Sequence, residues 1–345
     1  MLVDNYSRII ALLLTLFSLI ALSFSTMAFE RVQAPQSTQT PTPLIQFNPL
    51  IDESIFINSN MLFMETSEET DTIHELLALP QHWQTIKRSS PNFGFTSTAY
   101  WFKFNIDNMS NTHQPIFLEL PIPFLDSIKL YQVVDNQILQ HYDLGDLHPF
   151  SQRPVNHQNF VMPITLSPGL NEIFMRVSSS GTVEAPLTLW VPQAHSESSA
   201  ETNLMQGIWM GMLGIMVIYN FLLFLSIKDK SYLYYVLFAF GFLFFQASLK
   251  GYGFAYIWPN LLSFNNYAIS TFIALSNLSV IMLVIHFLNL KKSYPRIHRF
   301  MLTMAIIAGS LFVATFVIPY SITIRATSLM TIATCTISLI LGYYT

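Results

Sequence analysis

Two regimes of hydrophobic patterning divide the chain. Between residues 54 and 191, short apolar runs alternate with polar positions: Ser54 to Asn58, Met61 to Glu65, Ala99 to Ile106, Ile116 to Leu120, Ser127 to Val133, Gln137 to Tyr142, Phe160 to Leu166, Glu172 to Val177 and Leu187 to Val191. Asp135-Asn136, Leu144-Gly145-Asp146 and Ser167-Pro168-Gly169 fall between runs, and residues of these types set the backbone for turns. Eight or nine short strands at this spacing predict an all-β antiparallel sandwich, read as a jelly roll. One helix is expected in this region, over 71–79, with Asp71 as its cap and Glu75 in its first turn.

Beyond residue 202 the alternation gives way to long uncharged stretches. Thr202 to Ile227, Ser231 to Leu249, Gly251 to Leu290, Phe300 to Ile324 and Ala326 to Thr345 contain no Asp, Glu, Lys or Arg. A hydrocarbon core of about 30 Å takes roughly 20 helical residues. Each stretch therefore predicts one membrane helix, near 204–226, 232–250, 267–289, 300–319 and 322–345. The third begins with GYGFAYIWPNLLSFNN, whose Gly251, Gly253, Pro259, Asn265 and Asn266 favour turns and whose aromatic residues suit a membrane interface. The chain stops inside the fifth apolar run, so the bundle reads as incomplete and the sequence as a piece of a longer protein.

Ahead of the strands, Arg8, the uncharged stretch Ile9 to Phe24 and the small residues Thr26 and Ala28 read as a secretory signal over 1–28. Residues 29–50 are rich in Pro, Thr and Gln, a composition that buries little surface, and are expected to form a disordered tether to a sandwich over 51–195. Charge sharpens the division. Residues 30–203 hold eighteen Asp and Glu against seven Lys and Arg, a net of −11, whereas residues 204–345 hold the single acid Asp229 against eight bases. An acidic first half has nothing to neutralise a run of phosphates, which excludes a nucleic-acid-binding surface there. Lys228 and Lys230 sit in one loop between predicted helices, and Lys291, Lys292, Arg296 and Arg299 in another. By the positive-inside rule those loops are cytoplasmic and the sandwich lies outside, in the periplasm of a bacterial inner membrane.

Candidate chemistry is sparse. Cys335 is the only cysteine, so no disulfide forms within the chain. The acids Glu65, Glu68, Glu69, Asp71 and Glu75 cluster before the predicted helix, and Asp143 and Asp146 flank Gly145, positions typical of turns rather than of catalytic pairs. His141, His148 and His157 have no metal-ligand spacing and read as solvated histidines able to change charge near neutrality. No catalytic residue, metal site or cofactor is expected. A small, carbohydrate-like ligand would need aromatic faces and planar donors, and the sandwich offers Trp101, Arg153, His157, Arg176 and Trp190. In AYWFKF the alternation puts Tyr100, Phe102 and Phe104 toward the core and Trp101 beside Lys103 on a more polar face. In the membrane part, Gly207, Gly211 and Gly214 form a small-residue face for close helix packing, and Asn220, Asn277 and His286 are polar groups that must find partners or relay a change.

Several blocks in one order, NFGFTSTAYWFKFNIDN (92–108), PFLDSIKLY (123–131), GDLHPFSQRPVNHQNFVMPITL (145–166), NEIFMRVSSSGTVEAPLTLW (171–190), YNFLLFLSIKDKSYLYYVLF (219–238) and GYGFAYIWPN (251–260), resemble the bacterial 7TMR-DISM proteins, seven-transmembrane receptors with diverse intracellular signalling modules. The outer part is similar to their second type of extracellular domain, likened to carbohydrate-binding modules. The resemblance implies a receptor in signal transduction, admits a homodimer, and implies two further helices and a cytoplasmic output, commonly a diguanylate cyclase or histidine kinase, that these residues lack. The competing reading is a transporter or channel accessory protein whose outer domain gathers substrate.

Overall fold

The computed structural model describes residues 42–58, 60–66, 71–78, 82–86, 91–96 and 98–344. The expected signal over 1–28 and most of the expected tether lie outside these residues. Thirteen strands and seven α-helices follow one another along the described chain. Contacts group them into two compact units, one holding the strands together with Leu249–Asn265, the other holding Met205–Ser248 and the residues from Asn266 onward.

The first unit is an antiparallel sandwich. Its larger sheet runs β4 (Gln84–Thr85), β3 (Leu62–Thr66), β6 (Ala99–Asn108), β11 (Gly169–Ser178), β8 (Ser127–Val134), β9 (Gln137–Leu144), with β1 (Leu44–Phe47) also on β6. Its smaller sheet runs β10 (Phe160–Leu166), β7 (Gln114–Leu120), β13 (Thr188–Trp190), β2 (Ser54–Phe56); β12 (Thr182–Glu184) and β5 (Asn92–Phe95) form a separate pair. Alternation decides what each strand buries. Tyr100, Phe102, Phe104 and Ile106 of β6, with Ile173 and Met175 of β11, face Ile116, Leu118 and Leu120 of β7 and Met162 and Ile164 of β10 in one core. The β8–β9 hairpin turns on Asp135 and Asn136, both at positive φ (50° and 61°), the conformation a two-residue hairpin of this hand needs.

Two expectations change. β1 lies inside the stretch read as a tether: Ile45 and Phe47 are buried, and Leu44 to Phe47 pair in parallel with Asn105 to Asn108. Its alternating apolar residues are enough to add one strand to a sheet edge. The short helix α1 (Ile73–Ala78) is capped by Thr72 rather than Asp71. Thr72 Oγ1 accepts the Glu75 amide (3.3 Å), and Glu75 Oε2 accepts the amides of Asp71 (2.7 Å) and Thr72 (2.9 Å). Those two amides hold the Glu75 carboxylate below its usual range.

In the helical part, five helices are long and apolar enough to cross a membrane: α2 (Pro192–Ile227), α3 (Lys230–Leu249), α4 (Leu262–Phe287), α6 (Pro295–Ala314) and α7 (Tyr320–Tyr344). A four-residue helix α5 (Leu290–Ser293) precedes α6. Three starts differ from expectation. α2 begins at Pro192, so HSESSAETN (195–203), read as a connecting segment, is helical. α4 already includes Asn265 and Asn266, because Pro259 and Asn260 end the preceding segment. α6 begins at Pro295, where a proline fits the first helical position. Within the bundle, Asn277 of α4 donates to Thr331 Oγ1 (2.9 Å) and Thr327 O (3.4 Å) of α7, and Thr271 meets Thr315 at 3.0 Å.

Candidate functional site

The outer face of the small sheet carries the densest chemistry. β7 turns Ile116, Leu118 and Leu120 inward, which sends Phe117 and Glu119 outward, and β13 does the same with Leu189 and Trp190. Register places Glu119 opposite Thr188 and Phe117 opposite Trp190. Only Val191 separates β13 from α2, so the first helical turn returns at once to this face and brings His195 against it, its amide donating to Val191 O (3.0 Å). The loop before β10 delivers His157. Donor atoms of Glu119, His157 and His195 lie within 4.8 Å of one another, the only such three-donor group of His, Cys, Asp and Glu among the described residues.

The group is enclosed. His157 and His195 are 7% and 5% exposed, and Nε2 of each is buried with no hydrogen-bond partner among the described residues. His195 packs edge-on against Phe117 (5.4 Å), Trp190 (5.9 Å) and His157 (5.2 Å between centroids). Burial lowers both imidazole pKa values, against the opposing pull of the Glu119 carboxylate, so both rings are held toward the neutral form. Asn159 holds two members: its side-chain amide donates to Glu119 Oε1 (2.7 Å) and its backbone N–H to His157 Nδ1 (3.1 Å). Glu119 Oε2 is left facing His195 Nε2 at 3.8 Å.

Beside this group, Arg153 ties the loop down. Its guanidinium lies over Phe160 (4.1 Å), Phe150 (4.8 Å) and Phe254 (5.8 Å) and donates to Gln158 O (2.7 Å), His157 O (3.3 Å) and Pro123 O (3.4 Å). Burial lowers its pKa to about 10, and burial pushes the Asp146 carboxyl up to about 8 with Asp126 adding to the rise and Arg153 opposing it. Phe254 belongs to the segment between α3 and α4, and that segment is fastened to the sandwich. Gly251, at φ +77°, sits so close that a Cβ would come 2.6 Å from Gln158 O and 2.7 Å from Pro123 Cβ. Tyr252 donates to Asn203 Oδ1 (2.7 Å), which also accepts from Gln158 (3.0 Å).

The five expected ligand contacts thus separate. His157 and Trp190 join the group around Glu119, and Arg153 braces it. Trp101 does not present a face: it is fully buried under α1 with Met64, Ile73, Leu76 and Phe174, because a helix covers that side of the sheet. Arg176 lies there too, 4% exposed, paired with Asp71 (3.4 Å). His157 is buried rather than solvated, and Asp146, read as a turn residue, is only 6% exposed. Glu119 and His195 escaped the sequence reading. Glu119 looks like one polar position in an alternating strand, and His195 fell in an apparent connector. In the membrane part, a Cβ added to Gly207, Gly211 or Gly214 would meet no atom of another element within 4 Å among the described residues. Asn220 bonds Met216 O in its own helix (2.8 Å), and His286 packs edge-on against Tyr234 (5.2 Å).

A strand sandwich joined without a linker to apolar helices is the architecture of a membrane receptor, and two family models match it: 7TMR-DISM extracellular 2 over residues 58–191 and 7TM diverse intracellular signalling over residues 202–345. The chain belongs to the 7TMR-DISM family and carries its type 2 extracellular domain, which makes it a transmembrane receptor of signal transduction. Comparison with curated proteins finds no match.

Proposed function

We propose that the sandwich is exported by the N-terminal signal, lies in the periplasm, receives a small ligand there and passes the event through a bilayer-embedded bundle to a cytoplasmic output module of cyclase or kinase type. One observation carries this reading: the sandwich is gripped at two points that continue into membrane spans. β13 runs into α2 after one residue, and the α3–α4 segment is fastened through Gly251, Tyr252 and Phe254. A ligand shifts such a system only by binding one of its states more tightly. Ligand chemistry that orders or loosens the 145–159 loop changes both grips, because Arg153 and Gln158 in that loop touch Phe254, Tyr252 and Asn203. The basic hairpins at 228–230 and 291–299 support the orientation.

The test is accessibility in intact cells. In a Cys335→Ser background, single cysteines at Asn136→Cys, Lys230→Cys and Ser293→Cys are treated with a membrane-impermeant maleimide after the outer envelope is opened. Position 136 should label at once and positions 230 and 293 only after lysis. The reverse pattern refutes the reading.

A further inference from the structure

We propose that Glu119, His157 and His195 form a binding site for one divalent transition-metal ion of the zinc type. Two imidazoles and a carboxylate are the donor set such ions prefer, and three protein donors leave a fourth position for water or an anionic ligand. The geometry is near closure. A four-coordinate ion with bonds of about 2.1 Å spaces its donors about 3.4 Å apart; His195 Nε2 and Glu119 Oε2 stand at 3.8 Å, and all three donors lie within 4.8 Å. Three independent features point inward to a missing partner. Both Nε2 atoms are buried and unbonded among the described residues, on side chains more than nine-tenths buried. The carboxylate is oriented from behind by the Asn159 amide on Oε1, the kind of outer support that fixes metal-bound carboxylates. Finally, Phe117 and Trp190 wall the group with apolar surface, and the nearby Arg153 guanidinium is engaged with carbonyl groups and rings rather than with the Glu119 carboxylate. Coordination through His157 Nε2 moves the ring proton to Nδ1, so loading also opens the Asn159 N–H contact now made there.

Binding would clip the first turn of α2 to β7. The proposal needs only the sandwich and not the sensory reading, so the two can fail separately. The full chain, purified in detergent and stripped with a chelator, is titrated with Zn²⁺, with Mg²⁺ as control. One equivalent of Zn²⁺ and no Mg²⁺ should bind, and Glu119→Gln and His195→Gln should each weaken binding at least tenfold, while the surface pair His141→Gln/His148→Gln leaves it unchanged. Loading the unaltered chain with Co²⁺ needs no variant and should give the intense visible bands of a four-coordinate ion. No binding at micromolar Zn²⁺, binding indifferent to Glu119 and His195, or a weak six-coordinate Co²⁺ spectrum overturns the site. Metal binding combined with an inverted labelling pattern would sink the sensor reading and leave the site standing.

Discussion

Arg153 is the perturbation with the largest calculable effect on the loop that holds His157. Its planar cation covers two rings at under 5 Å, each contact worth about 1 kcal/mol in a desolvated setting. Its bond to Gln158 O at 2.7 Å is charge-assisted and worth about 2 kcal/mol, while the two longer bonds add less. Arg153→Ala should therefore loosen the loop by about 4 kcal/mol, which at about 1.4 kcal/mol per decade is between 10²- and 10³-fold in local opening. Arg153→Lys keeps the charge but loses the flat face and the fork, and should forfeit about half of that. Hydrogen exchange followed by mass spectrometry on the full chain reads both: amides of 150–159 should exchange faster in the order Ala, Lys, wild type, with β11 unchanged. If the Lys variant protects the loop as well as arginine does, charge alone holds it and the stacking argument is wrong.

Asp146→Asn tests a buried proton. The folded carboxyl keeps its proton up to about pH 8 whereas the unfolded one ionises near 4, so the fold loses stability as pH rises through that window, on the order of 5 kcal/mol as an upper bound. The variant should melt higher than wild type at pH 8.5 with the gain shrinking toward pH 4; a lower melting point at pH 8.5 would mean an ionised Asp146 held by Arg153. Asn171→Ala removes a fully buried side chain that donates to Ser167 O (2.9 Å) and Gly169 O (3.0 Å) and accepts from Ser167 N (3.0 Å) and Gln132 (3.1 Å). A loss of about 3 kcal/mol is expected in the melting of the β signal by circular dichroism, and an unchanged midpoint would contradict it. Gly251→Ala forces a Cβ into Gln158 O at a positive φ and should release the 251–258 segment to proteases by at least tenfold. Asn277→Ala should cost the bundle about 1 kcal/mol, read as a lower unfolding midpoint in detergent.

Much of the architecture was legible because the relevant physics is local. Period-2 alternation in AYWFKF assigned Tyr100, Phe102 and Phe104 to the core, as found, since a strand has only two faces. Uncharged runs of about 20 residues located all five apolar helices, since length and hydropathy alone set that signal. Boundaries were less legible: β1 needed β6 beside it to become a strand, and residues 195–203 needed the preceding Pro192 turn to continue as helix. What only the tertiary structure decided was neighbourhood. Whether Trp101 meets solvent depends on α1 arriving over it, and whether Glu119, His157 and His195 form a group depends on a strand register, a loop held by Arg153 and a helix turning back after one residue. Those are contacts between segments distant in sequence, and no spacing within the chain encodes the distance between their side chains.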